Sequence, residues 1–291
     1  MFDYPTIERV TEETKPGYYR IEHEAYHASP GISSSEIKNA LVSYGYYKAK
    51  KEDDSTSPAL EFGKAFHMAI LEPGLFEKTY VIEEKDKFNK RTKQGREDYA
   101  QWVADLKEEG AEIIKEQDRD LLTAMAANVQ AHPLFAGVKG QYQEVACVAR
   151  CPHTGLLVKC KPDSRGHHIL DFKTYRDAVT PANMLREINN RGYHISAAHY
   201  QDTILNATGE KLPFVIAAVE KIAPHGVAFY ELSDELIEEG RTLVRAGLDR
   251  IKRWEKNPPK CHYGEAIHVL HPNAITMYNT RDTLQMIEDN H

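Results

Sequence analysis

Two carboxylates and a lysine lie close together in one short stretch of the sequence. Asp163 follows a run of strand-forming residues, and Asp171 and Lys173 belong to the next such run. Side chains two positions apart in a strand project from the same face, so Asp171 and Lys173 point together while Phe172 points into the core. Two carboxylates and an ammonium group at one edge can bind a hard divalent cation and hold a nucleophilic water beside it.

The two runs are predicted to form a hairpin. The first strand is Val158–Lys161, the second is Ile169–Phe172, and the polar segment 164–166 between them is typical of a turn. Such a hairpin returns the first carboxylate to the neighbourhood of the second. An ordinary hairpin with solvated charges has the same pattern, so the rest of the chain must decide between these two interpretations.

Composition excludes several classes of protein. The chain has 291 residues and a formal net charge of −7, which does not suit a protein that coats nucleic acid by bulk charge. A nucleic-acid enzyme of this charge needs a local basic surface. The sequence contains no apolar run long enough to cross a membrane and does not open with a signal peptide, so we expect a cytoplasmic protein.

The four cysteines lack the paired spacing of a zinc ribbon. They are Cys147, Cys151, Cys160 and Cys261. Three of them are predicted to lie within the sheet, where a reduced cysteine acts as a small apolar residue. We therefore expect no iron–sulfur cluster.

A helix is predicted to begin near Ser33. Ser33 or Ser34 can cap it, and Glu36 occupies the position of a capping box. The plain interpretation is a helix cap. The alternative is a phosphate site made of free N–H groups, serine hydroxyls and Lys38.

A second predicted helix, Ala59–Leu71, contains Gly63 and, four residues later on the same face, His67. Glycine is costly inside a helix unless another backbone or a ligand comes close. A lone histidine in an apolar helix is usually a packed core residue, and the helix by itself favours that interpretation of His67.

A basic segment, Asp86–Arg96, stands out in an acidic chain. It is most simply a solvated loop, or else it contacts a phosphate backbone. Its cations are Lys87, Lys90, Arg91, Lys93 and Arg96.

Strands are predicted from residue 140 onward, and helices surround them. The first strand contains Glu144 among apolar neighbours, so this carboxylate either adjoins a metal site or faces water at an edge. The predicted strands are Tyr142–Arg150, Leu156–Lys161, His168–Lys173, Phe214–Glu220 and Val227–Glu231, and the further helices are Glu97–Glu109, Glu112–Ala131, Pro181–Thr208 and Asp234–Trp254. This order predicts an α/β protein: a central mixed sheet flanked by helices, with helical additions at the N-terminal side.

The charged stretch resembles the signature of PD-(D/E)XK nucleases. It has Pro162-Asp163 and then Asp171-Phe172-Lys173. The segment from Gly63 to His67, followed by Leu71-Glu72-Pro73, resembles the GxxxH segment of the RecB-type branch, and within it the RecE (exonuclease VIII) group, related to lambda exonuclease. The resemblance runs from about Ile32 to Trp254 and includes the segment Ser33–Lys38, the pair His132-Pro133 and Glu144.

The resemblance implies a domain organisation and an activity. Residues 1–31 form an N-terminal arm, 32–257 a single exonuclease domain and 258–291 a C-terminal tail. The implied activity is 5′-to-3′ hydrolysis of linear double-stranded DNA, dependent on Mg²⁺ with Mn²⁺ as a substitute. It leaves 3′ single-stranded tails for an annealing protein of the RecT type. The group further implies a homo-oligomer, a tetrameric ring, encoded by a bacterium or a phage.

The resemblance also implies roles for residues. Asp163, Asp171, His67 and the Phe172 carbonyl bind the metal, Lys173 orients or deprotonates the attacking water, and Glu144 stands in the outer shell. The candidate DNA contacts are Ser33, Ser35, Lys38, Lys90, Arg91, Lys93, Arg176, Tyr193 and Tyr200.

One position departs from the pattern. The branch has a glutamine four residues before a tyrosine, and here Ser196 precedes Tyr200. The departure concerns positioning of the DNA strand rather than metal binding. Two other functions stay open: a single-strand or flap nuclease of the same branch, and a non-catalytic DNA-binding protein on a nuclease fold.

Overall fold

The structure is a computed structural model that describes residues 4–53, 55, 57–83, 87–260, 263, 267, 269 and 271. Residues Met1–Pro258 form one compact unit and Pro259–His291 a second. Most of the predicted C-terminal tail, Cys261 included, lies outside the described residues, as does Asp86 of the basic segment. Measured by length and apolar content, every helix in the described residues falls short of a membrane span.

Helices account for much of the compact unit. In the described residues they are α1 (His23–Ala28), α2 (Ser34–Val42), α3 (Tyr44–Lys51), α4 (Pro58–Leu71), α5 (Pro73–Thr79), α6 (Lys93–Glu108), α7 (Glu116–Ala131), α8 (Phe135–Val138), α9 (Pro181–Arg191), α10 (Tyr193–Thr208) and α11 (Asp234–Lys256).

The strands fall into three sheets. The strands are β1 (Gly17–Tyr19), β2 (Tyr80–Ile82), β3 (Glu112–Ile114), β4 (Tyr142–Gln143), β5 (Ala146–Arg150), β6 (Leu157–Cys160), β7 (Ser164–Arg165), β8 (Ile169–Tyr175), β9 (Phe214–Glu220) and β10 (Val227–Glu231). A central five-stranded sheet has the order β10-β9-β8-β7-β4, a three-stranded sheet has the order β1-β5-β6, and β2 pairs with β3. The central sheet is mixed, because β8 and β9 are parallel and its other pairs are antiparallel.

Helices cover both faces of the central sheet, as the order of elements predicts. Phe172 packs into a core with α4, α5 and α7, whereas Ile169 packs into a core with α2, α9, α10 and α11. Asp171 and Lys173 have the same parity in β8 as Ile169, so they point away from the Phe172 side. The predicted division between Phe172 and the two charged side chains is confirmed.

The predicted hairpin between Val158–Lys161 and Ile169–Phe172 is wrong in its pairing. β6 belongs to the three-stranded sheet, and the partner of β8 is the short strand β7, which occupies the predicted turn. A two-residue strand has too little periodicity to be seen in a sequence. Asp163, just before β7, is still brought back to β8.

The predicted strand Tyr142–Arg150 is divided in two. Glu144 has a φ of 50°, a left-handed conformation that interrupts a strand. Its N–H donates to the Asp163 carbonyl at 3.2 Å. The chain thereby passes from β4 in the central sheet to β5 in the three-stranded sheet, and Glu144 lies at the crossing rather than within a strand.

Several helix boundaries also differ from the predictions. The predicted helix Glu112–Ala131 begins with strand β3, and Pro181–Thr208 consists of two helices separated at Gly192, whose φ is 63°. Cys151 follows β5 instead of lying in a strand.

The N-terminal segment packs on the three-stranded sheet. β1 pairs antiparallel with β5, and Val10, Ile21 and Tyr26 share a small core with residues of β5 and β6. Lys159 of β6 reaches into this region, where its ammonium group donates to the carbonyls of Tyr26 and Ser29 at 2.6 and 2.5 Å. The segment is therefore an integral layer of the compact unit.

Candidate active site

His67 reaches the edge of the central sheet from helix α4. Ser57 caps this helix and Pro58 occupies its first turn, both favourable at a helix start. His67 Nδ1 lies 3.2 Å from Asp163 Oδ1, and Nε2 lies 3.2 Å from the Phe172 carbonyl oxygen. Both ring nitrogens thus face oxygen atoms. A Cβ placed at Gly63 would meet no atom within 4 Å, so no other backbone accounts for that glycine.

Asp163 is the most firmly held carboxylate of the site. It is 7% exposed, and its Oδ2 accepts a 2.6 Å hydrogen bond from the Phe172 N–H. Burial alone would raise the pKa of Asp163, but His67, Lys173 and this N–H outweigh burial and lower it. Asp163 is therefore a carboxylate at neutral pH.

Asp171 and Lys173 form an ion pair on β8. Lys173 Nζ lies 2.6 Å from Asp171 Oδ2 and donates to the Phe172 carbonyl at 3.2 Å. Burial raises the pKa of Asp171, and nearby Asp163 adds to this effect. For Lys173, burial would lower the pKa, but the Asp171 carboxylate outweighs it and the pKa is raised. The lysine is an ammonium ion at neutral pH.

Glu144 has a cationic partner that the sequence did not single out. Lys161 Nζ lies 3.1 Å from Glu144 Oε2, and its side chain is 10% exposed. Burial, and then the Asp163 carboxylate, raise the pKa of Glu144 despite this pair. The sequence did indicate that Glu144 has a cationic partner, because a carboxylate among apolar residues requires a cation. The register that brings Lys161 to it depends on the break at Glu144.

Three side chains of this cluster could hold a metal ion. One ligand atom each from His67, Glu144 and Asp163 lie within 4.8 Å of one another. Two carboxylates and one imidazole are a suitable donor set for a divalent ion such as Mg²⁺ or Mn²⁺. Glu144, predicted for the outer shell, belongs to this group. Asp171, predicted as a ligand, lies beside it in the ion pair with Lys173.

Lys38 and Tyr193 extend the cluster toward α2 and α10. The Lys38 and Lys173 ammonium groups each lie 5.6 Å from the centroid of the Tyr193 ring. Burial and then Lys173 lower the pKa of Lys38 to about 8. Gly192 lies against the Lys38 side chain, since a Cβ there would be in ordinary van der Waals contact with Lys38 Cδ at 3.4 Å. Two predicted DNA contacts thus adjoin the predicted catalytic lysine.

The start of α2 is a capping box. The Ser33 hydroxyl accepts from the Glu36 N–H at 3.3 Å, and Glu36 Oε2 accepts from the Ser33 N–H at 2.9 Å. The plain interpretation of this segment as a cap is confirmed. Ser35 is exposed in the first turn, where a phosphate approaching the helix would also meet the Glu36 carboxylate.

The other predicted DNA contacts lie outside the cluster. Lys90 pairs with Glu83, and Lys93, which is exposed, lies 3.7 Å from Glu97. Arg91 is exposed in the same segment, and Arg176 is exposed just after β8. Tyr200 packs against Phe214 with a ring separation of 6.0 Å and borders the α10 core, so it is chiefly a packing residue.

Comparison with known proteins connects this arrangement to a family. No match was found among curated proteins. A solved structure from Eubacterium rectale, described as "Putative exonuclease", superposes with a TM-score of 0.59 at 20% sequence identity, covering 89% of this chain and 98% of the other. At that identity the similarity establishes the fold.

The sequence itself establishes membership. Residues 33–272 match the family described as "PDDEXK-like domain of unknown function (DUF3799)". The match spans α2, the histidine of α4, the break at Glu144 and the charged strand β8. This chain therefore belongs to the PDDEXK-like DUF3799 family, whose fold is that of the PD-(D/E)XK nucleases.

Proposed function

We propose that this protein is a metal-dependent exonuclease that degrades linear double-stranded DNA from 5′ ends and leaves 3′ single-stranded tails. The observation that carries the proposal is the donor group of His67, Glu144 and Asp163 directly beside the Asp171–Lys173 ion pair. A divalent-ion site next to a fixed ammonium group suits hydrolysis of a phosphodiester.

The residues of the cluster have different roles in the proposed reaction. His67, Glu144 and Asp163 would hold Mg²⁺ or Mn²⁺, with Asp171 and the Phe172 carbonyl as neighbouring oxygens. A bound ion would supply Lewis acidity and an activated water molecule. Because the pKa of Lys173 is raised, this residue acts as a hydrogen-bond donor that orients the water and offsets negative charge on the phosphate, rather than as its base.

In this proposal Lys38 and Tyr193 position the DNA strand. Two ammonium groups lie near the Tyr193 ring, so a phosphate that enters the site would meet two cations. Ser35 and Arg176, both exposed, extend this surface. A phosphorylated 5′ end is the ligand we propose for Ser35 and Lys38.

The assembly is part of the proposal. A net charge of −7 and a few local clusters of cations suit a homo-oligomeric ring with a basic lining and an acidic exterior. A tetramer and an annealing protein of the RecT type are the proposed assembly and partner. Light scattering on the purified chain tests for the tetramer. Co-purification with such an annealing protein tests for the partner.

One digestion assay tests the reaction. Wild type and Asp163→Asn are incubated with Mg²⁺ and linear duplex labelled at the 5′ or 3′ end, nicked circles and single strands. We expect rapid release of the 5′ label from linear duplex by the wild type alone. Preference for single strands or flaps would replace the proposal with that alternative. Binding without Mg²⁺-dependent cleavage would make the protein a non-catalytic binder.

The 5′-phosphate contact has its own test. Duplexes with phosphorylated and hydroxyl 5′ ends are compared in the wild type, Ser35→Ala and Lys38→Ala. We expect the wild type to prefer the phosphorylated end and both variants to lose that preference. Equal rates in the wild type, or an unchanged preference in the variants, would reject this role.

A further inference from the structure

Three aromatic side chains cluster at the protein surface, outside the three hydrophobic cores. Phe88 precedes α6, and Tyr99 and Trp102 lie on it. Their ring centroids are 5.3 to 5.8 Å apart, and all three side chains are half-buried. Gly95 is the buried residue of α6, so this helix lies largely on the surface. Partly exposed aromatic rings that cluster at a surface are a feature of binding sites.

The segment before α6 holds the rings in place. A Cβ at Gly95 would lie 2.1 Å from the Asn89 carbonyl oxygen, so the segment packs directly on the helix. Thr92 caps the helix through the Gly95 N–H at 3.0 Å and donates to the Asn89 carbonyl, also at 3.0 Å. The rings are thus presented on a folded support and need little ordering to bind a ligand.

Cations surround the rings. Lys90 Nζ lies 3.5 Å from the centroid of the Tyr99 ring, and Lys87 Nζ lies 5.3 Å from that of Trp102. Residues 87–102 carry five Lys or Arg and two acids within a chain of net charge −7. Although Lys90 also pairs with Glu83, a surface of this composition suits a ligand that carries negative charge along with flat groups that stack on aromatic rings.

We propose that Phe88, Tyr99 and Trp102, with Lys90 and Arg91, form an aromatic–basic patch that binds single-stranded DNA. Unpaired bases stack on aromatic side chains while Lys and Arg contact the phosphates. The bases of a duplex are stacked on one another and do not offer their faces. The identification of the product strand as the natural ligand rests on the proposed function, but the binding itself requires no hydrolysis.

The two tryptophans of the chain make the test direct. Trp102 lies in the patch, and Trp254 packs with Tyr44 and Tyr47 at the end of α11. Full-length Trp254→Phe and Trp102→Phe are titrated in EDTA with a dT oligonucleotide of about 16 nucleotides, a length within the range of known single-strand sites. Stacking predicts saturable quenching of the fluorescence of Trp102 in the first variant. Trp254 in the second variant should show no quenching.

Affinity variants complete the test. Tyr99→Leu and Trp102→Leu should bind the oligonucleotide about tenfold or more weakly, with Trp254→Phe as the matched control of unchanged affinity. Lys90→Gln and Arg91→Gln, both at exposed positions, should reduce the salt dependence of binding. These two glutamine variants still test the patch if a leucine variant fails to fold.

Two fluorescence results would contradict the proposed patch: equal quenching of both tryptophans, or no quenching of Trp102. Two affinity results would also contradict it. They are an unchanged affinity in folded leucine variants, and a duplex of the same length that binds as tightly as the single strand. Because the titration contains EDTA, it is independent of cleavage. A protein that binds the oligonucleotide but never cleaves DNA would reject the proposed function and keep the patch.

Discussion

Lys159 and Lys173 are both lysines of strands, but they meet different partners. Lys159, 3% exposed, donates to two backbone carbonyls, and burial lowers its pKa to about 8. Lys173 faces the Asp171 carboxylate, which raises its pKa against the effect of burial. Neutral partners satisfy the hydrogen bonds of a buried cation without compensating its charge. The difference separates a lysine whose hydrogen bonds hold the N-terminal layer from one whose charge is retained beside the candidate metal ligands.

Each of the three acids of the candidate site has a charged partner, as Lys173 does. His67 pairs with Asp163, Lys161 with Glu144 and Lys173 with Asp171. Charged groups buried in pairs are weak contributors to stability, and their concentration at one edge of a sheet is typical of a functional centre. Stability and activity should therefore respond to different substitutions.

The largest effect is expected for Lys173→Gln. Glutamine can still donate hydrogen bonds but carries no charge, so we expect the rate of Mg²⁺-dependent digestion of linear duplex to fall by about 10²- to 10³-fold. The rate is measured at saturating DNA and corrected for folded protein. An unchanged digestion rate would mean that Lys173, like Lys159, contributes to the fold and not to catalysis.

Metal binding should stabilise the protein through the donor group. At a Mn²⁺ concentration 100 times its dissociation constant, the free energy of unfolding of the wild type should rise by about 2.7 kcal/mol. Asp163→Asn should lose this increase, and Asp171→Asn should keep more of it. Thermal unfolding with and without Mn²⁺ measures the effect, with Asp202→Asn, a carboxylate paired with Arg241, as the control. A greater loss in Asp171→Asn would make that residue the principal ligand.

Lys159→Met should affect stability rather than activity. The carbonyls of Tyr26 and Ser29 lose their donor, so we expect the free energy of unfolding to fall by about 2 kcal/mol. Urea denaturation measures this loss. The digestion rate per folded molecule should equal that of the wild type, and a lower rate would show that the N-terminal layer also serves the site.

The smallest effect, taken per pH unit, concerns the pH dependence of the free energy of unfolding. The pKa of Lys159 falls from 10.5 to about 8 on folding, so the unfolded chain binds this proton more tightly. Between pH 10.5 and pH 8 the wild type should lose about 1.4 kcal/mol of stability per pH unit relative to Lys159→Met, with no further change below pH 8. Urea denaturation of both proteins across this range checks the sign. A constant difference would mean that the carbonyls hold the pKa near its ordinary value.

The period-two pattern of β8 was sufficient to place Asp171 and Lys173 on one face. The sequence also predicted the cap of α2 and the end of α7 before Pro133. The two-residue strand β7 and the break at Glu144 had no such signal, because each depends on the packing of the two sheets. For the same reason the sequence placed Glu144 in the outer shell and did not identify Lys161 as its partner.

The left-handed residue at position 144 lies at a junction of two sheets. The backbone there joins the sheet that carries the N-terminal layer to the sheet that carries β8, and the side chain of the same residue is a candidate ligand. Because β1 pairs with β5, one continuous run of backbone connects the partner strand of the N-terminal layer to the candidate ion site.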